Sequence, residues 1–128
     1  RDGMGVNILR RNKIPTIIVT KEKTTIVRKW ATRMNVCLVL DGVTKKEVII
    51  KDVYKKFKIN PDEIGFIGDD VNDLEIMKRI GFSATPSDGI KEALKVVDYR
   101  CNSKGGEGAF REIVDLLTQS KLVTKKLF

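Results

Sequence analysis

The chain has 128 residues, 41% hydrophobic, 6% aromatic and 33% charged, which suits one soluble domain with an aliphatic core and excludes a disordered chain. It carries a formal net charge of +8, two cysteines and no histidine, which excludes Cys/His zinc sites and any Ser-His-Asp or Cys-His relay within these residues. The longest apolar run, Val36 to Leu40, is far too short to span a bilayer, and Arg1-Asp2-Gly3 opens no signal-type segment.

Taken in chain order, helical and strand patterns alternate. Met4 to Asn12 reads as a helix with Val6, Ile8 and Leu9 inward. Thr16 to Val19 is a short β-branched strand entered through Pro15. Thr24 to Met34 is a helix with Ile26, Val27 and Trp30 at helical spacing, and Val36 to Leu40 a buried strand in which Cys37 is a core thiol. After the Asp41-Gly42 turn, Glu47 to Phe57 is a helix with Ile50, Val53, Tyr54 and Phe57 on one stripe. Asn60-Pro61-Asp62-Glu63 starts one short helical turn, and Ile64 to Ile67 is a strand. Asp73 to Ile80 is a helix ended by Gly81, Phe82 to Ala84 a strand, and Asp88 or Gly89 to Val96 a helix. Gly105-Gly106-Glu107-Gly108 is a loop feeding the helix Ala109 to Ser120, and the basic tail from Lys121 frays.

This alternation predicts one α/β domain over residues 1–128, doubly wound, with a mostly parallel, Rossmann-like sheet. The lysines are spread over several helices with no aromatic-basic stacking motif, so the positive charge reads as a solvated surface and not as a nucleic-acid site. The cysteine usage fits a reducing cytoplasm. The absence of an initiator Met marks the chain as a fragment, a processed product or part of something longer.

In open α/β sheets ligands bind beyond the carboxyl ends of the strands. Thr20-Lys21 follows the first strand and Lys45-Lys46 the second, after the Asp41-Gly42 turn. Gly68-Asp69-Asp70 with Asp73 follows the third, and Pro86-Ser87-Asp88 the fourth. Clustered hard carboxylates suit Mg²⁺, while a lysine and a hydroxyl suit phosphoryl oxygens. Gly68 lets the backbone turn so that Asp69 projects from the strand end, and Asp73 caps or steadies the cluster. The plainer alternatives are that Asp70 or Asn72 only caps the helix, that Thr20 bonds to backbone, and that Lys45 and Lys46 are solvated. Cations are unfavourable at a helix start, so lysines there point to a partner anion.

Gly68-Asp69-Asp70-Val71-Asn72-Asp73 resembles the fourth motif of haloacid dehalogenase superfamily phosphatases. Thr20 after Thr16-Ile17-Ile18-Val19 resembles the second motif, and Lys46 in Gly42-Val43-Thr44-Lys45-Lys46 the third. Arg1-Asp2-Gly3-Met4-Gly5 and Gly105 to Glu112 are similar to the capless subgroup. That subgroup includes 3-deoxy-D-manno-octulosonate 8-phosphate phosphatase, the nonulosonate 9-phosphate phosphatases and the C-terminal domain of acylneuraminate cytidylyltransferase. The resemblance implies that Asp69 binds Mg²⁺, with Asp70 and Asp73 beside it as ligands or positioning Lys46. Thr20 and Lys46 would serve catalysis at the phosphoryl group, with Asn72, Gly106 and Glu107 as further substrate contacts. It also implies a phosphorylated keto-sugar acid as substrate and a homotetramer in which the loop around Glu107 lies by a neighbour's site.

Two departures qualify this. Thr20 is followed by Lys21-Glu22 where the family has Gly-Arg, and the family's first motif, Asp-x-Asp-Gly with the nucleophile, is absent from these residues. That motif is expected upstream of Arg1, on the central strand of the sheet. Without it two sheet edges are left unpaired, and these residues are expected not to fold stably by themselves. The non-catalytic alternative is an oligomerisation or regulatory domain of a cytidylyltransferase.

Overall fold

β-Branched and apolar triplets form the short strands, and amphipathic segments form the helices between them, in the order the alternation predicts. The structure, a computed structural model, describes residues 2–20, 25–33, 36 and 38–118. The expectations for Lys21-Glu22, Cys37 and the tail from Lys121 lie outside those residues. So does the inward stripe of Ile26, Val27 and Trp30, whose side chains are not described. The chain divides into two compact units, Arg1–Val43 with Phe110–Phe128, and Thr44–Ala109.

The first unit holds helix α1 (Asp2–Arg11), strand β1 (Ile17–Val19), helix α2 (Thr25–Arg33), strand β2 (Leu38–Leu40) and nearly all of helix α6 (Ala109–Thr118). β1 and β2 pair in parallel, Ile17 opposite Leu38 and Val19 opposite Leu40. Val6, Leu9, Ala31, Ile113 and Val114 make its core. Gly5 lets α1 approach α6 closely: a Cβ there would stand 3.1 Å from the Phe110 ring and 3.2 Å from Val114.

The second unit holds α3 (Ile49–Phe57), β3 (Gly65–Ile67), α4 (Leu74–Met77), β4 (Phe82–Thr85), α5 (Lys91–Val96) and β5 (Tyr99–Arg100). Its sheet is parallel in the order β3-β4-β5, with Gly65 opposite Phe82 and Ala84 opposite Tyr99. Parallel strands in register put the turns that follow β3 and β4 on the same edge. Ile49, Val53, Ile76, Met77, Ala84 and Ala93 are buried in this unit.

Several boundaries differ from the sequence expectation. α3 turns Ile49 and Val53 inward, while Tyr54, expected on the buried stripe, is 51% exposed. A 3-10 turn over Lys46–Val48 precedes α3, whose inward face is centred on Ile49 and Val53, four residues apart, and leaves Tyr54 beyond its edge. α3 ends on Lys58 in the left-handed conformation (φ 57°), whose N–H bonds to Tyr54 O at 2.8 Å. The Asn60 to Glu63 segment is the short capped turn expected, with the Asn60 N–H donating to Glu63 Oε1 at 3.1 Å. α4 stops at Met77 because Lys78 and Arg79 tighten onto carbonyls three residues back, leading to Gly81, whose N–H meets Pro61 O at 3.0 Å. Only glycine fits there, since a Cβ would run into the Asp62 carbonyl.

β5 was not expected. It is held to β4 partly by Asp98, whose Oδ2 accepts from the Ser83 N–H (2.9 Å) and the Ser83 hydroxyl (3.3 Å). Ser83 Oγ in turn accepts from the Asp98 N–H at 3.1 Å. Among the described residues no helix is long and apolar enough to cross a membrane.

Candidate active site

The acidic turn after β3 is built around one buried carboxylate. Asp73 is 1% exposed. Its Oδ2 accepts from the N–H groups of Asp69 (2.9 Å) and Asp70 (3.1 Å), and its Oδ1 lies 2.7 Å from Lys46 Nζ. The Lys46 contact is a charge pair whose direction falls short of a hydrogen bond, so attraction more than alignment holds it. The Lys46 side chain is 14% exposed. Burying two charges is tolerable only when they are paired and their remaining polar valences are met. Here the two backbone amides meet one oxygen and the ammonium meets the other.

Gly68 makes this geometry possible. Its N–H bonds to Ala84 O at 3.1 Å, continuing the β3-β4 ladder by one residue. A Cβ on it would collide with Asp73 Oδ2 and stand 2.6 Å from the Phe66 ring. The requirement is close approach of backbone to a buried charge.

The three acids offered by the sequence as metal ligands therefore divide. Asp73 has both oxygens engaged inside the protein and positions Lys46. Asp70 Oδ1 accepts from the Val71 N–H at 2.6 Å, capping the turn over Val71–Asp73. Asp69 is exposed, and its carboxylate has no hydrogen-bond or ionic partner among the described residues. Its backbone is pinned on both sides, the N–H by Asp73 and the carbonyl by the Ile90 N–H at 3.1 Å. A fixed backbone carrying an unengaged carboxylate suits one ligand position of a hard divalent cation. Among the described residues no group of three acid or thiol side chains gathers as a complete cation cage. Asn72 Oδ1 is buried without a hydrogen-bond partner, an acceptor open to a ligand or water.

The turn after β4 lies along the same edge. Pro86, Ser87 and Asp88 were expected as a strand-end loop, with Asp88 or Gly89 opening the next helix; α5 instead starts at Lys91. In the structure Ser87 N–H bonds to Ser103 O at 2.9 Å, and Asp88 Oδ1 accepts from the Gly105 N–H at 2.9 Å. The loop over Gly105–Gly108, with Gly106 at φ 76° and Gly108 at φ 104°, is thereby tied to this turn. Lys104, Gly106 and Glu107 are exposed on it. Sequence reasoning missed Asp88; an acid just past a strand end was the signal available.

Thr20 belongs to the other unit. There its N–H donates to Leu40 O at 3.0 Å and its carbonyl accepts from the Val43 N–H at 2.9 Å, fixing it at the end of β1.

A family model described as haloacid dehalogenase-like hydrolase matches residues 10–113. The chain belongs to that family. The 3-deoxy-D-manno-octulosonate 8-phosphate phosphatase of Salmonella typhi is 30% identical to this haloacid dehalogenase-like chain over 124 residues, 95% of it and 66% of the relative. The chain thus spans just under two thirds of the length of the curated relatives it matches. Among solved structures, a protein of Vibrio cholerae described as a putative phosphatase of the same kind is 31% identical with a TM-score of 0.91, over 96% of this chain and 69% of its own. The enzyme of Moraxella catarrhalis, solved with magnesium, phosphate and KDO, is 27% identical with a TM-score of 0.88, over 98% of this chain and 73% of its own. A Haemophilus influenzae relative was solved in a cobalt-bound form; it is 28% identical with a TM-score of 0.88, over 92% of this chain and 69% of its own.

Proposed function

We propose that this chain is the greater part of a Mg²⁺-dependent phosphatase acting on a phosphorylated keto-sugar acid, 3-deoxy-D-manno-octulosonate 8-phosphate before a nonulosonate 9-phosphate. The buried Lys46–Asp73 pair beside an unengaged, backbone-pinned Asp69 carries this reading. A domain used only for assembly has no need to bury a charge pair at a strand end, so that pair favours catalysis over the regulatory alternative. The division of the sheet into two parts, β1-β2 and β3-β4-β5, supports a further strand bearing the nucleophile in residues outside this sequence. In the same reading the two compact units are parts of one domain.

Asp69 would hold the metal, which supplies positive charge for the phosphoryl oxygens and the attacking carboxylate. An ammonium has three donors, and Asp73 occupies one side of Lys46, leaving donors for a phosphoryl oxygen or the attacking carboxylate. Thr20 would donate its hydroxyl to the phosphoryl group, and Asn72 would offer its unpartnered acceptor. An aspartate carboxylate supplied by the additional residues would attack phosphorus as the sugar alkoxide leaves and takes a proton. Water would then hydrolyse the aspartyl phosphate to release inorganic phosphate. The reading includes a cytoplasmic homotetramer.

Inorganic phosphate release by the complete protein tests this. Turnover of 3-deoxy-D-manno-octulosonate 8-phosphate is expected with Mg²⁺ and lost with chelator, and Asp69→Asn is expected to lower it on the order of 10²-fold or more. Mg²⁺-dependent turnover that survives Asp69→Asn would remove Asp69 from the metal site. Faster release from N-acetylneuraminate 9-phosphate would move the substrate to the nonulosonates.

A further inference from the structure

The turn over Pro86 to Ile90 touches two other loops at once. At one end the Ile90 N–H donates to the Asp69 carbonyl at 3.1 Å. At the other, Asp88 Oδ1 accepts from the Gly105 N–H at 2.9 Å, and the Ser87 N–H reaches Ser103 O at 2.9 Å. The turn closes on itself through the Gly89 N–H and Pro86 O at 3.0 Å. It has little slack: a Cβ on Gly89 would collide with Thr85 Oγ1, and Thr85 is fully buried. A Cβ on Gly105 would sit at ordinary contact distance, 3.6 Å, from both Asp88 Oδ1 and Pro86 Cγ. Within the glycine-rich loop the Glu107 N–H donates to Lys104 O at 3.0 Å, and a Cβ on Gly106 would meet nothing within 4 Å. Asp88 supplies a charged side chain that holds the start of the loop.

We propose that Asp88 is a positioning residue that sets the Lys104–Gly108 loop, within the same chain, at a fixed place beside Asp69, so that the loop forms the wall for the sugar-acid part of the substrate. The proposal rests on the phosphatase reading above. The chemistry of the loop suits that part: Lys104 is an exposed cation for a carboxylate, and Glu107 an exposed acceptor for hydroxyls. The bond from Asp88 is charge-assisted, which makes it a stronger tether than a neutral one.

Asp88→Ala and Asp88→Asn in the complete protein test this, the asparagine keeping an acceptor at Oδ1. Asp88→Ala is expected to raise KM for 3-deoxy-D-manno-octulosonate 8-phosphate about tenfold while kcat on p-nitrophenyl phosphate stays within about twofold. Amides 106–108 should exchange faster in the alanine variant, and Asp88→Asn should restore both properties. Equal losses on the two esters, an unchanged KM, or unchanged exchange of those amides overturns the proposal. Mixing Asp69→Asn chains with Asp88→Ala chains should leave KM high; a return to the normal KM would place the loop in a neighbour's site and overturn the same-chain assignment. If the unaltered protein hydrolyses neither ester, the phosphatase reading falls, and the exchange measurement alone decides whether Asp88 holds the loop.

Discussion

The turns after β3 and β4 start alike, at the ends of adjacent parallel strands, and each carries aspartate. They use it in opposite ways. After β3 a carboxylate turns into the protein and holds a cation at the strand edge, leaving its neighbour Asp69 unengaged. After β4 the carboxylate turns outward to a backbone N–H of another loop, and what is buried is the uncharged hydroxyl of Thr85. The first turn concentrates charge at the strand end; the second uses its acid to fix a neighbouring loop. The same strand-end architecture therefore yields an edge with a buried charge pair and an edge that ties down a second loop, according to which way a single side chain faces.

The sharpest way to break that contrast is to remove Lys46. Asp73 then stays buried without its cation, and Lys46→Ala is expected to destabilise the complete protein by about 3–5 kcal/mol, read from denaturant unfolding. A loss near the level of an exposed pair such as Arg79–Glu75, roughly 0–1 kcal/mol, would show that water reaches Asp73 and that the two turns differ less than described. Next comes Gly68→Ala, whose added methyl meets a charged oxygen and an aromatic ring. A cost of about 1–3 kcal/mol is expected, together with a loss of turnover. Gly89→Ala meets Thr85 and the Pro86 carbonyl and no charged group, so a similar stability cost should leave a larger share of the turnover. The smallest effect on stability is expected from Asp69→Asn, within about 0.5 kcal/mol, because its carboxylate has no partner to lose. A large thermal shift in that variant would place Asp69 with the structural acids.

The strand-end logic was legible in the residues themselves. Apolar triplets, a glycine after the third strand and acids beyond it placed Thr20, Lys46, Asp69, Asp70 and Asp73 past strand ends; Lys46 does pair with Asp73, and Thr20 stands just after β1 in the other unit. The division of labour among the acids was legible in part: Asp69 read as the projecting acid and Asp73 as the steadying one, while whether Asp70 and Asp73 were ligands, caps or partners of Lys46 stayed open. Asp69 and Asp73 are four residues apart and of one type, and only packing decides which carboxylate is buried. β5 escaped because two residues carry no period of their own, and its place depends on Asp98 reaching Ser83 across 15 positions. Tyr54 was placed inside by helical spacing, but the buried stripe is narrow, centred on Ile49 and Val53, and Tyr54 falls outside it. α4 ends at Met77, short of the expected Ile80, where the chain tightens toward Gly81 and meets the Pro61 turn 20 positions back, and α5 starts at Lys91 because the turn over Pro86 to Ile90 takes the residues expected to open it.

The left-handed residue that closes α3 has a practical consequence for studying the site. Lys58 pays a conformational penalty that glycine would not, and its contact with the Tyr54 ring is a distant one, with Nζ 5.9 Å from the ring centre. Lys58→Gly is expected to raise stability by roughly 0.5–1 kcal/mol without altering a single residue of the acidic turn. Such a background offers a reserve of folding free energy on which damaging changes at Gly68 or Lys46 become easier to isolate as folded protein, so that their effect on turnover can be measured apart from their effect on yield.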